Sequence, residues 1–210
     1  MFRDSRAIML GPDHLSSRHE RFFASLAAHA GIVGPVKWLP GTTGKHRVIP
    51  RNFNPLVRRS PHFYYATADY RDALEKAILD EVEHLFIFED DCRFFPEFEE
   101  LFLPAFRNLP DGWMALMMGG SRQTKKMPVV VPGVLRRVNG GCLATHAILW
   151  SRAGMIRAWN HLYENGNLIV DQAFAGLQAI EPHFYAPDRW VTDQCPEAVP
   201  ASREITHAEC

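Results

Sequence analysis

The 210-residue sequence predicts an α/β fold built on a mostly parallel central sheet, from three observations. Ala7 to Leu10 is a short apolar run closed by Gly11-Pro12, followed by apolar residues at helical spacing, which is a strand leading into a helix. Leu85-Phe86-Ile87-Phe88 is a second continuous apolar run, as in a strand buried on both faces, and it stops at Glu89-Asp90-Asp91. The segment immediately before it, from Thr67, has the clearest helical periodicity in the chain.

Along the chain, Ser17 is an N-cap candidate for a helix with Phe22, Phe23, Leu26 and Ala30 on one stripe, ended by Gly31. Val36 to Leu39 reads as the next strand, and residues 40–61 as a long loop without periodicity. Tyr70, Ala73, Leu74, Ala77 and Ile78 form the apolar face of the helix from Thr67. Residues 96–109 read as a helix that Pro104 kinks or divides, 113–118 as a buried strand closed by Gly119-Gly120, and 121–141 as a loop and a hairpin-like pair. Cys142 to Trp150 reads as a strand, after which Ser151 caps a helix with Met155, Ile156, Trp159 and Leu162 inward, ended by Gly166. A short helix follows Asp171, and residues 182–191 resemble an edge strand. The organisation expected is one domain over 1–195 and a tail over 196–210.

Composition narrows the function. Lys and Arg total 23 against 24 for Asp and Glu, so the chain lacks the basic footprint of a nucleic-acid binder. Cys92, Cys142, Cys195 and Cys210 include no C-x-x-C, which disfavours a zinc ribbon and makes reduced thiols the expectation. With no signal-peptide run and no apolar stretch near the roughly 20 residues of a membrane helix, a cytoplasmic protein is expected, peripheral membrane association being left open. Dinucleotide, P-loop and nucleophile-elbow motifs are absent.

The acidic triplet carries the chemistry. Unit charges about 4 Å apart repel by roughly 4 kcal/mol at an effective dielectric near 20, a penalty that a cation removes. Oxygen ligands suit Mg²⁺ or Mn²⁺, which bind through one or two carboxylates plus substrate phosphates, so Asp90 and Asp91 are metal candidates. The competing reading is a polar strand-to-loop boundary. Strand alternation puts Glu89 and Asp91 on one side and Asp90 on the other.

The wider pattern resembles glycosyltransferase family 25. Leu15-Ser-Ser-Arg18-His-Glu20-Arg21-Phe is similar to that family's opening segment, and Phe86-Ile-Phe-Glu89-Asp90-Asp91 to its acidic motif. Leu116-Met-Met-Gly119-Gly120, Ala144-Thr145-His146 through Ser151-Arg152, and Val170-Asp171 follow in a similar order. Asp69-Tyr70 departs from a Ser-His pair, and Ser16-Ser17 from an Asp-Arg pair. The resemblance implies a GT-A-like, Rossmann-type nucleotide-binding sandwich. It also implies an inverting transferase that moves a hexose from a nucleotide sugar, such as UDP-glucose or UDP-galactose, to a carbohydrate acceptor such as lipopolysaccharide.

In that frame Asp90 and Asp91 contact Mn²⁺ or Mg²⁺ and the diphosphate, while Glu89 positions the motif or meets the nucleotide. Asp171 is the candidate base, with the N-cap of the following helix as its competing role. Arg18 and Arg21 are candidate phosphate contacts against a solvated helix face. Arg47, Arg51, Arg58, Arg59, Lys125 and Lys126 are candidates for a basic rim that meets phosphate or an anionic acceptor, against ordinary solvated surface charge. His183 or His146 is the candidate nitrogen ligand of the metal, and Trp38 and Trp190 are the candidate sugar-stacking rings. A non-catalytic module of the same fold and a metal-dependent phosphohydrolase are the alternatives.

Overall fold

The computed structural model describes residues 5–11, 17–41, 53, 62–120 and 126–194. An eight-stranded sheet has the order β2 (Val36–Pro40), β1 (Ser5–Gly11), β3 (His84–Glu89), β8 (Ala147–Ser151), β5 (Ala115–Met117), β9 (Phe184–Pro187), β7 (Leu135–Arg137) and β6 (Val129–Val131). Six of these strands run one way, and β8 and β7 run against them. β4 (Cys92–Phe94) pairs with β10 (Thr192–Gln194) in a separate two-stranded ribbon.

Alternation along the strands fills both faces of the sheet. Ile8, Leu10, Leu85, Ile87, Ile148 and Trp150 point to a core shared with α3 (His62–Leu79), α5 (Arg152–Glu164) and α6 (Val170–Ile180). Ala7, Met9, Phe86, Phe88, Ala147 and Leu149 point to the core under α1 (Ser17–Leu26) and α4 (Phe98–Arg107). In that second core Phe98, Phe102 and Phe106 recur every fourth residue of α4 and stack at 5.0 and 6.0 Å. They meet a ring cluster in which Phe88 of β3 and Phe94 of β4 lie 5.1 Å apart. Those two rings bracket the acidic turn and fix its exit from the sheet.

Several elements differ from expectation. The first helix gives way to a single-turn stretch at Ala27–His29 and the short α2 (Ala30–Val33); Gly31 lies inside α2, and Gly34, at φ 76°, closes it. Phe23 and Ile156 are 41% exposed, because each falls just off the inward stripe of its helix. α3 starts at His62, five residues before Thr67, and α4 runs through Pro104 undivided. β8 is shorter than the strand expected from Cys142. β9 lies between β5 and β7 in the interior of the sheet, not at its edge, since the β6–β7 hairpin adds outside it. Part of the segment past residue 191 is β10. Residues 195–210, with most of the 40–61 loop, lie outside the described residues.

Two helical glycines test the packing with opposite signs. A Cβ on Gly154 would overlap the carbonyl of Met114, whereas one on Gly176 would meet only His161 Nε2 at 3.8 Å. Gly176→Ala is expected to stabilise the protein by about 0.5–1 kcal/mol, as an unobstructed helical glycine should. Gly154→Ala is expected to destabilise it by roughly 1–3 kcal/mol through overpacking. Urea denaturation checks both, and equal shifts would contradict the close approach of Gly154 to the Met114 carbonyl.

Candidate active site

β3 delivers Glu89 as its last residue, so the triplet sits at the carboxyl edge of the sheet. Because β8 runs antiparallel to β3, the residues leading into β8 reach that same edge, and the Glu89 N–H donates to the His146 carbonyl at 2.9 Å. Thr145 and Glu89, 56 positions apart, become neighbours for this reason.

Asp90 is 5% exposed and turns toward β1 and α1. Arg18 Nη1 donates to Asp90 Oδ1 at 3.4 Å, and His19 Nε2 lies 3.8 Å from Asp90 Oδ2. Position 11 must be glycine for this fit, since a Cβ there would come within 2.8 Å of Asp90 Cβ. Asp90 also lies beside the start of α1, where the helix dipole favours negative charge. Arg18 gives the triplet a compensating charge, while Arg93, two residues past Asp91, forks onto Asp193 across the β4–β10 ribbon, with Nε–Oδ1 at 3.0 Å.

Asp91 faces the other way. Its Oδ1 is buried without a hydrogen-bond partner among the described residues. Burial and the neighbouring Asp90 charge push its carboxyl up to about 6, with Arg18 and Gln194 pulling it back. A buried carboxylate oxygen with nothing to bond, beside a second acid, is a donor set that fits a divalent cation. The described residues contain no group of three His, Cys, Asp or Glu side chains gathered around one point, so substrate oxygens and water would complete the coordination.

Glu89 lies with Asp91 on the side away from Asp90, as strand alternation predicts, and the Gln194 amide donates to its Oε2 at 3.3 Å. Thr145 Oγ1 is 2.5 Å from Glu89 Oε1 and 2.8 Å from Asp171 Oδ1. A hydroxyl has one hydrogen to give, so it donates to one carboxyl and accepts from the other, which must carry a proton. Burial pushes Glu89 up to about 8, helped by the charges of Asp91, Asp171 and Asp90. Glu89 therefore holds the proton at neutral pH and Thr145 donates to Asp171. Asp171 is also raised by burial and lowered by Thr145.

Asp171 is not the N-cap of α6. That place is taken by Ile169, whose side chain makes no cap bond, and the Val170 N–H donates instead to Thr67 Oγ1 of α3 at 3.0 Å. With the helix end satisfied by another element, the Asp171 side chain is released to face Thr145. Tyr70 of α3 is fully buried, and its hydroxyl donates to the Thr145 carbonyl at 2.5 Å. The Asp69-Tyr70 departure thus puts a framework side chain under the site.

The remaining candidates divide. Arg21 is exposed one turn beyond Arg18. His183 precedes Phe184, which pairs level with Ala115, Trp150 and Leu85. It sits some five residues, or about 16 Å at strand rise, from the level of Glu89, so the structure does not bring it to the acids. His146 is at the correct edge but 1% exposed, wedged against Gly119, and burial pushes its ring down to about 4, keeping it neutral. Trp190 packs over Gly120, where a Cβ would strike its ring at 2.5 Å, and Trp38 meets His19 edge-on at 5.1 Å. Cys92 and Cys142 are buried free thiols; burial first, then Asp171, pushes Cys142 up to about 12. Lys126 is exposed; Arg47, Arg51, Arg58, Arg59 and Lys125 lie outside the described residues. The sequence assigns no site role to Thr145, Gln194 or His19, and none to the Tyr70 hydroxyl beyond its ring's place on the apolar face of α3; their partners lie far away in the chain and leave no local pattern.

No protein-family model matches the chain, and no curated protein matches it by sequence. Among solved structures it is similar to mannose-1-phosphate geranyltransferase from Thermus thermophilus, with a TM-score of 0.51 at 12% identity over 90% of this chain and 76% of that one. Mouse xyloside xylosyltransferase 1 gives 0.48 at 12% identity over 88% and 85%. A glycosyltransferase involved in glycosylating the major capsid of PBCV-1 gives 0.46 at 10% over 87% and 81%. The fold is the GT-A-like α/β sandwich, with a helix-flanked sheet in which most strands run one way.

Proposed function

We propose that the protein is a metal-dependent, inverting glycosyltransferase that moves a hexose from a UDP-sugar, such as UDP-glucose or UDP-galactose, to a carbohydrate acceptor such as lipopolysaccharide. The observation that carries this reading is the buried, unbonded Asp91 Oδ1 beside Asp90 at the carboxyl edge of the sheet, where ligands bind in open α/β folds. The likeness of the acidic motif to glycosyltransferase family 25 supports the hexose donor. No helix of the described residues is long and apolar enough to cross a membrane.

Asp91, backed by Asp90, would hold Mn²⁺ or Mg²⁺. When bound, that ion supplies positive charge against the negative charge that develops on a departing diphosphate. Arg18, held at the start of α1 by Asp90, offers a guanidinium fork toward the same oxygens. Asp171 accepts the proton of the attacking acceptor hydroxyl, while Glu89 stays neutral and keeps Thr145 and Gln194 in place.

The first test is a donor screen of UDP-, GDP- and CMP-sugars with Mn²⁺ or Mg²⁺, reading nucleotide release and sugar transfer. Release is expected with a UDP-hexose and an acceptor, and Asp90→Asn or Asp91→Asn should lower it by about 100-fold or more while the protein stays folded, the scale of losing one group that offsets developing charge. Full activity in the folded double variant would remove the metal role, and nucleotide release indifferent to any acceptor would point to a phosphohydrolase.

Glu89 gives a second test through stability. Its folded pKa lies above the value near 4.5 of an unfolded glutamate, so its stabilising protonated form prevails at low pH. That contribution is lost as pH rises from about 4.5 through 8, at about 1.4 kcal/mol per unit. Glu89→Gln keeps both hydrogen bonds without the proton. It should match the wild type at pH 4.5 and gain stability steadily up to pH 8, with donor turnover within about threefold. A gap independent of pH in paired urea titrations would refute the buried neutral carboxyl.

A further inference from the structure

We propose that Thr145 is a positioning residue of the transfer reaction, its hydroxyl aiming the Asp171 carboxylate and holding it ready to accept a proton; this rests on the base role given to Asp171 above. Three elements, α3, β3 and α6, converge on this one residue. Tyr70 of α3 fixes its carbonyl at 2.5 Å, and the next residue, His146, accepts the Glu89 N–H, so the Thr145 backbone is pinned on both sides. Thr145 is 3% exposed, and its Oγ1 stands within hydrogen-bond reach of Glu89 on β3 and Asp171 on α6.

The consequence follows from how Asp171 is held. It is in the first turn of α6, and that turn is fastened by the Val170 N–H to Thr67 rather than by any bond from Asp171 to its own helix. The carboxyl is thus oriented from across the cleft. A donated hydrogen bond stabilises the charged carboxylate, which is the form a base needs, against the cost of its burial. The titratable groups facing Asp171 are Glu89, Tyr70 and Cys142, and none brings a positive charge. Among the described residues, Thr145 is therefore the group that favours the charged form of this carboxyl.

Thr145→Val keeps the shape and removes the hydroxyl, and Thr145→Ser restores it. Carbon-13 NMR of aspartate-labelled protein, with Asp171→Asn to assign the resonance, reads the Asp171 titration in each folded variant without any turnover. The midpoint should rise by about one unit or more in Thr145→Val and return to within a few tenths of the wild type in Thr145→Ser. With the UDP-sugar that the wild type turns over, Thr145→Val should lower kcat about tenfold or more with KM little changed. It should also move the acidic limb of the pH profile upward by the same amount as the NMR midpoint. An Asp171 midpoint unmoved in Thr145→Val, or a kcat loss that serine does not rescue, overturns the proposal. A shifted midpoint in a protein that transfers no sugar would leave the Thr145–Asp171 coupling standing while removing the transferase reading on which its catalytic meaning depends.

Discussion

Carboxylates buried where an inner strand ends are the constraint around which the site is built. Glu89, Asp90 and Asp91 are consecutive, and a folded chain can keep them close only by giving each a different remedy for its charge. Asp90 takes the Arg18 guanidinium and the start of α1, and Glu89 takes a proton. Asp91 is left with a buried oxygen that nothing among the described residues bonds. In the proposed function, a cation arriving with a diphosphate would supply the missing remedy, and the same electrostatics that burden the fold would make it a receptor.

The architecture that brings the partners in is topological. A sheet of wholly parallel strands would send the segment before each strand to the far edge. The reversed strand β8 sends Thr145 and His146 to the edge where β3 finishes. The β4–β10 ribbon, cinched by Arg93 and Asp193, returns Gln194 to the same place. Phe88 and Phe94 lock the turn between the sheet and that ribbon. The glycines at 11 and 119 matter because Asp90 and the His146 ring occupy the volume their side chains would need.

Much of this was legible from local pattern. The runs at Ala7 and Leu85, the Tyr70–Ala77 stripe and the Ser151 cap, whose hydroxyl accepts the Gly154 N–H, each follow from periodicity or capping chemistry that acts over a few residues. The acids could be placed beyond a strand end for the same reason. The interior position of β9 could not, because it depends on a hairpin adding outside it, and neither could the pairing of Arg93 with Asp193 and of Arg18 with Asp90. Asp171 shows the difference most plainly: its sequence context suits an N-cap, and only the distant Thr67 hydroxyl makes that role unnecessary.

In the proposed function Asp91 and Asp90 bind a nucleoside diphosphate through a shared cation. Calorimetric titration of UDP into the protein, with Mn²⁺ and with chelator, tests it most directly. Manganese should tighten UDP at least about tenfold in the wild type and leave Asp91→Asn unchanged; UDP binding of equal strength with chelator, or tightened equally in the variant, would contradict it.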